Sequence, residues 1–369
     1  MQSIDRVESL NRDSGDYLRP GIELVQSISC CPRDRGSLEQ GVNPYLYCPT
    51  CGSVYPIVDG VYVIFARSSV DELYPQEVMF FRRWCTSDSR VAQYWESLQR
   101  PASHSNHDLE WVHSERLFWE REYVASREKY TNESRTKGNR LPEREKYLFR
   151  RLREGAKRLA GGEHILVEIG SGLSETLDIL FRPAVSNFTY VLTDVSLQAL
   201  MYSVDKPNTI CIACTAGQLP IRAATADILL FLGILHHIPQ WHSTFERLCE
   251  VLKPAGMIGV HEVVEKQSFL QRRQIYKEQG VWSPHEDAIE ERALLASVNQ
   301  RFISLAIVRN YSSARSALAE LLIGAMRRSR LVTDAVLFLD RLFIACFAWL
   351  GPRLRNGAII LTAVKGQAF

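Results

Sequence analysis

Four short apolar runs follow one another between residues 163 and 264, separated by segments of helical length. No other feature of the 369-residue chain restricts its fold as tightly. HILVEIG (164–170), TYVLTDVS (189–196), ADILLFLGIL (226–235) and MIGVHEVV (257–264) are nearly continuous in apolar residues. A strand that alternates apolar with polar residues has one wet face, whereas a continuously apolar strand is buried on both. The intervening segments, such as Ser174–Phe181 and Trp241–Leu252, carry helical patterning. Doubly buried strands alternating with helices predict a doubly wound α/β domain around a parallel sheet. Such a sheet binds its ligand beyond the carboxyl ends of its strands.

The first run passes into Glu168-Ile169-Gly170-Ser171-Gly172-Leu173-Ser174. Glycine lets the backbone turn sharply and approach a ligand closely, and the helix that follows offers free N–H groups. A dinucleotide site would need a small residue where Glu175 stands, and a carboxylate there would face pyrophosphate. Asp194 closes the second run and is placed to accept hydrogen bonds from ribose hydroxyls. A cationic or zwitterionic nucleoside therefore fits this loop better than a dinucleotide.

The order VEIGSG, LTDVS, GQLPI, ADILLFLGILHHIP, LCEVLKPAGMIGVHEV resembles the class I S-adenosylmethionine-dependent methyltransferases, in the group that acts on small molecules. The resemblance implies a Rossmann-like, doubly wound seven-stranded sheet and S-adenosyl-L-methionine as cofactor. It places Glu168, Gly170, Ser171 and Gly172 on the methionine and ribose side, and Asp194 on the ribose hydroxyls. Thr215 and Ala216 would lie beside adenine, and Leu232 and Gly233 near the methionine moiety. Two positions depart from the family pattern. Ser174 stands where a third glycine is common, and Thr215 where an aspartate often accepts from the adenine amino group.

The amino-terminal part has a different character. Residues 30–65 are β-rich and hold the CxxC Cys48-Pro49-Thr50-Cys51, preceded by Cys31-Pro32-Arg33-Asp34. Two such knuckles on facing hairpins make a tetrahedral zinc site. With YPIVDGVYVIF following, the segment resembles the zinc-ribbon activator subunit of tRNA, ribosomal and release-factor methyltransferases. Cys31, Asp34, Cys48 and Cys51 are then the candidate ligands of a structural zinc, with Cys30 a spare thiol. The alternative is a ribbon that has lost its metal and folds on its apolar strand. Nine cysteines in a long chain, with charges throughout the first twenty residues, point to a reducing cytoplasm and to thiols that are free or metal-bound.

Three parts follow: a ribbon-like domain over 1–66, a helical linker or lid over 67–160, and the methyltransferase domain over 161–369 with a helical insertion near 311–356. The linker is rich in aromatics, among them Trp111, Trp119 and Tyr123, which suit either packing or the lining of a substrate pocket. Its basic run, Arg135–Leu159, reads as a solvated helix face. A net charge of +2 does not call for a nucleic-acid partner. Leu331–Leu350 is interrupted by Asp334, Asp340 and Arg341, so it reads as a buried or amphipathic helix, with contact to a membrane surface or lipid substrate as the other reading. RFISLAIVRN (301–310) and GAIILTAVKG (357–366) are expected to supply the last two strands.

Methyl transfer to oxygen or nitrogen often uses a general base, most commonly histidine. His236 and His237 follow the third apolar run, His261 lies in the fourth, and His285 with Glu286 lies further on. His237 reads as capping or packing the next helix, and His236 as the base, with His261 a further candidate; many related enzymes work by proximity alone. The resemblance implies methyl transfer to a small-molecule or carrier- or lipid-linked biosynthetic intermediate, on oxygen rather than nitrogen or carbon. The alternatives are an RNA or protein methyltransferase, or a non-catalytic binding partner.

Overall fold

The computed structural model describes residues 21–100, 111–123, 143–159, 162–174, 177–178, 181–182, 187–264, 283, 289–311 and 357–366. Glu175, His285, Glu286, Leu331–Leu350 and most of the segment near 311–356 lie outside the described residues.

The four apolar runs form β5 (His164–Ile169), β6 (Phe188–Asp194), β8 (Ala226–Leu232) and β9 (Leu252–Val264). The last begins at Leu252, before the Met257 suggested by apolar content alone. A further strand, β7 (Thr209–Ala213), carries TICIA and is buried at every residue. The parallel strands lie side by side as β7-β6-β5-β8-β9. Strand order reverses at the β5–β8 boundary, where the chain leaves in opposite directions and a crevice opens above the strand ends. β10 (Phe302–Tyr311) and β11 (Gly357–Lys365) complete that side, with β11 antiparallel to both β9 and β10. The sheet is α/β and Rossmann-like.

Both faces of this sheet are covered, as the strand composition requires. One core holds Val167, Val191, Leu229, Phe231, Phe245 and Leu248. The opposite core holds Leu148, Phe149, Leu152, Leu166, Leu192 and Leu230. The helix Trp241–Glu250 serves the first, and the helix Glu143–Ala156 the second. Close packing of that second helix is visible at Gly259, where an added Cβ would sit 3.0 Å from both Leu152 and Leu230.

The ribbon is joined to this sheet. β1 (Glu39–Gln40), β2 (Tyr45–Tyr47), β3 (Val54–Val58) and β4 (Val61–Val63) form an antiparallel meander. β4 then pairs in parallel with β7, so one sheet of eleven strands runs from the ribbon to β10. Side-chain contacts reinforce the strand pairing. Arg35 donates from both terminal nitrogens, to the carbonyls of Leu219 and Ile221, each at 2.7 Å. Cys30 N donates to Pro220 O at 3.0 Å, and Arg222 Nε to Ser29 O at 3.0 Å. The helices Pro75–Trp84 and Ser89–Gln99 pack Phe80, Phe81, Val91 and Tyr94 against Tyr45 and Val54 of the ribbon. Among the described residues, no helix is long and apolar enough to cross a membrane.

Candidate active site

A cavity of about 400 Å3 opens at the carboxyl ends of β5, β6 and β8, beside the point where strand order reverses. Its floor is the glycine loop. Gly170 and Gly172 have φ of 62° and 52°, a region that residues with a Cβ rarely adopt. Ser174 adopts the same region, with φ 54°. Its hydroxyl donates to Glu168 Oε2 at 2.8 Å, a bond glycine cannot make, which offsets the strain of that conformation. Here is the physical reason serine serves at the third small position.

Two buried carboxylates flank the loop. Asp194 accepts from Gly172 N at Oδ2 and from Ser196 N at Oδ1, both at 2.8 Å. Burial nevertheless pushes its carboxyl up to about 6, against the lowering effect of those amides. Glu168 is 2 % exposed, and burial pushes it up to about 8, only partly offset by the Ser174 hydroxyl. At neutral pH Glu168 is therefore mostly protonated in the free protein, and Asp194 mostly ionised.

The far wall is a stripe from a helix through 111–123. Trp111, Glu115, Trp119 and Tyr123, four residues apart in turn, all line the cavity. Side chains at that spacing share one helix face. The helix is tied down beside Asp194: Glu120 Oε1 accepts from Ser196 Oγ at 3.1 Å and Gln198 N at 3.3 Å. Tyr123 Oη would lie 2.6 Å from a Cβ at Gly172, so the stripe closes directly over the glycine loop.

The histidines separate into different environments. His237 lines the cavity, with Nδ1 3.0 Å from Ser283 Oγ and 3.8 Å from Glu115 Oε2. Its ring meets Trp119 edge-on, with centroids 5.3 Å apart. His236 is absent from the wall. Its Nδ1 is held by Oε1 of the fully buried Glu262, which also accepts from the amides of Leu235 and Val263 at 2.9 Å. His261 is likewise not on the wall, and its carbonyl accepts from Gly233 N at 2.7 Å.

The other expected cofactor residues are placed as follows. Glu168, Gly170, Ser171, Gly172, Asp194, Ala216, Leu232 and Gly233 all line the cavity. Thr215 does not. Its hydroxyl accepts from Gln218 N at 3.2 Å, capping a short helical turn, while the neighbouring Cys214 and Ala216 reach the wall.

Residues 167–260 match the family described as methyltransferase domain. Over those residues the chain carries a methyltransferase domain. Among solved structures, the chain is similar to phosphoethanolamine N-methyltransferase 2 of Haemonchus contortus, at 14 % identity and a TM-score of 0.39. That overlap covers 58 % of this chain and 52 % of the other, so the chain spans about half that protein's length. It is also similar to geranyl diphosphate C-methyltransferase of Streptomyces coelicolor A3(2), at 14 % identity and a TM-score of 0.39, over 56 % of this chain and 74 % of the other. No curated protein matches the chain.

The methyltransferase cavity suits its cofactor on one structural ground in particular. Ser171 Oγ is buried on the cavity wall and makes no hydrogen bond among the described residues. An unpaired buried hydroxyl costs stability unless a ligand satisfies it. Asp194 retains lone pairs for ribose hydroxyls, since its two oxygens together offer about four acceptor sites.

A second cluster lies in the ribbon. Ligand atoms of Cys31, Asp34, Cys48 and Cys51 all fall within 4.8 Å of one another. Cys31 Sγ and Cys51 Sγ are 3.6 Å apart, against about 3.8 Å for thiolates on one tetrahedral zinc. The two knuckles repeat one backbone pattern. Cys31 N donates to Gly36 O and Arg35 N to Cys31 O; Cys48 N donates to Ser53 O and Gly52 N to Cys48 O. Arg35 and Gly52 occupy equivalent left-handed positions, with φ of 63° and 72°. Asp34 therefore stands at the place of Cys51 in the companion knuckle. The donor set and spacing fit a tetrahedral thiolate-rich metal.

Sequence reasoning did not find Glu115 or Ser283, and it placed Glu262 beside His261 at the strand end without pairing it to His236. Glu115 sits within the periodic stripe Trp111–Glu115–Trp119–Tyr123, which is a usable signal. Glu262 and Ser283 come near the histidines only through tertiary packing.

Proposed function

We propose that the protein transfers a methyl group from S-adenosylmethionine to a hydroxyl of a small, uncharged acceptor, free or linked to a carrier or lipid. The observation that carries this is a single cavity bounded by the glycine loop and Asp194 on one side and by His237 and the Trp111–Tyr123 stripe on the other. When bound, the cofactor supplies an electrophilic methyl group on a sulfonium. Ser171, Gly172 and Asp194 would hold its polar parts, and Ala216, Leu232 and Gly233 its flanks. Three aromatic side chains and no lysine or arginine are found among the described wall residues. Such a wall supports an acceptor with an apolar body and offers no counter-charge to an anion. His237, the histidine on that wall, suits an acceptor that must lose a proton.

The ribbon supports a structural zinc on Cys31, Asp34, Cys48 and Cys51, in a chain working in a reducing cytoplasm. Ribbon, helical linker and methyltransferase domain are proposed as three parts over 1–66, 67–160 and 161–369.

Calorimetric titration with S-adenosylhomocysteine tests the cofactor reading. Saturable binding is expected, and Asp194→Ala should weaken it by about 1–3 kcal/mol through loss of paired polar contacts. Absence of binding at millimolar ligand would overturn the enzyme reading; an unchanged affinity in the variant would displace the ribose site.

A further inference from the structure

We propose that Glu115 is the positioning residue of His237, so that a carboxylate–imidazole pair takes the acceptor's proton. This rests on the methyltransferase reading above. Glu115 is 2 % exposed, and its Oε2 accepts from Trp119 Nε1 at 3.0 Å while lying 3.8 Å from His237 Nδ1. The same carboxylate thus orients the indole that packs edge-on against His237. Ser283 Oγ, 3.0 Å from Nδ1, holds the ring from a third direction. In the tautomer whose Nδ1–H donates to Ser283 Oγ, with Glu115 3.8 Å behind it, the imidazole carries its lone pair on Nε2.

Among the described residues, a second imidazole also bears on His237. His236 lies with its ring centroid 4.1 Å away, and that ring is itself held by Glu262 from β9. Glu168 and Asp194 share the cavity but belong to its opposite side. A carboxylate at this distance favours the imidazolium form and raises the basicity of the ring. The pair also has a defined place relative to the cofactor loop. The helix that bears Glu115 is pinned through Glu120 to Ser196 and Gln198, and Arg116 Nη1 donates to Glu72 O at 2.6 Å. A single rigid element therefore sets His237 on one side and closes over Gly172 on the other.

In the proposed step, the proton of the acceptor hydroxyl passes to His237 Nε2. The electron pair of that O–H bond stays on oxygen and forms the bond to the methyl carbon. The pair of the breaking S–CH3 bond remains on sulfur, and the proton later leaves His237 to solvent.

The pair is tested on the full chain, saturated with S-adenosylhomocysteine, by nitrogen-15 NMR titration of the histidine rings, with His237 assigned by comparison with H237Q. E115Q is expected to lower the His237 midpoint by about one pH unit, a tenfold loss of proton affinity. E115D, with its carboxylate one methylene farther off, is expected to give a smaller drop of about threefold. An unmoved midpoint in E115Q overturns the proposal; if E115Q does not fold, an unmoved midpoint in E115D does so. Failure of the wild-type chain to bind S-adenosylhomocysteine sinks the cofactor reading instead, while the titration of His237 in the free chain still decides whether the pair exists.

Discussion

Glu168→Gln provides a quantitative test of the glycine-loop electrostatics. Burial raises the Glu168 carboxyl from 4.5 to about 8, so the folded chain holds a proton there that the unfolded chain releases. The sign follows from linkage: this group's contribution to stability is fully present below pH 4.5 and is lost as pH rises through about 8. Each unit is worth about 1.36 kcal/mol, so the loss is about 3 kcal/mol at pH 7 and about 5 kcal/mol above pH 8. Glutamine keeps an oxygen for the Ser174 hydroxyl and cannot ionise. Any constant cost of the amide cancels when one variant is followed across pH. Urea unfolding of both proteins without ligand at pH 4, 7 and 9 should show E168Q gaining on the wild type by about 5 kcal/mol across that range. Parallel pH profiles would refute the reasoning, because they would mean that Glu168 is solvated or already ionised in the folded state.

Two further outcomes concern the ribbon. Metal analysis of the purified chain is expected to find one zinc per molecule, lost in Cys48→Ala; a metal-free wild type purified without chelator would reject the site. Arg35→Ala removes both hydrogen bonds to Leu219 and Ile221, so unfolding free energy should fall by about 1–3 kcal/mol. No change would mean that the β4–β7 pairing and the hydrogen bonds of Ser29 and Cys30 hold the ribbon without Arg35.

The parallel sheet was legible in the chain because its strands are buried on both faces, and short continuous apolar runs such as ILLFL, alternating with segments of helical length, fit such a sheet. The glycine loop was legible because positive φ demands particular residues. The cysteine knuckles were legible because a ligand set within one hairpin leaves a local spacing. Asp34 was less obvious as a ligand position, and the matching backbone hydrogen bonds around Arg35 and Gly52 now give it a geometric equivalent in Cys51. The histidines were the weak point. His236 and His237 are adjacent in sequence and chemically identical, so nothing local says which one faces the cavity. That choice is made by Glu262 from β9, which draws His236 away, and by Glu115 and Ser283, which meet His237.

The sequence by itself determined the α/β class, the glycine loop, the buried acid at the end of β6 and the Cys/Asp pattern of the ribbon. Each of these depends on residues close together in the chain or on a periodicity within one element. Only the tertiary structure decided that the ribbon's last strand extends the catalytic sheet, that a tryptophan-rich helix roofs the cavity, and that His237 belongs to the wall. Those outcomes depend on contacts between segments far apart in sequence, such as Arg35 with Leu219 or Glu115 with His237, where no local pattern records the partner.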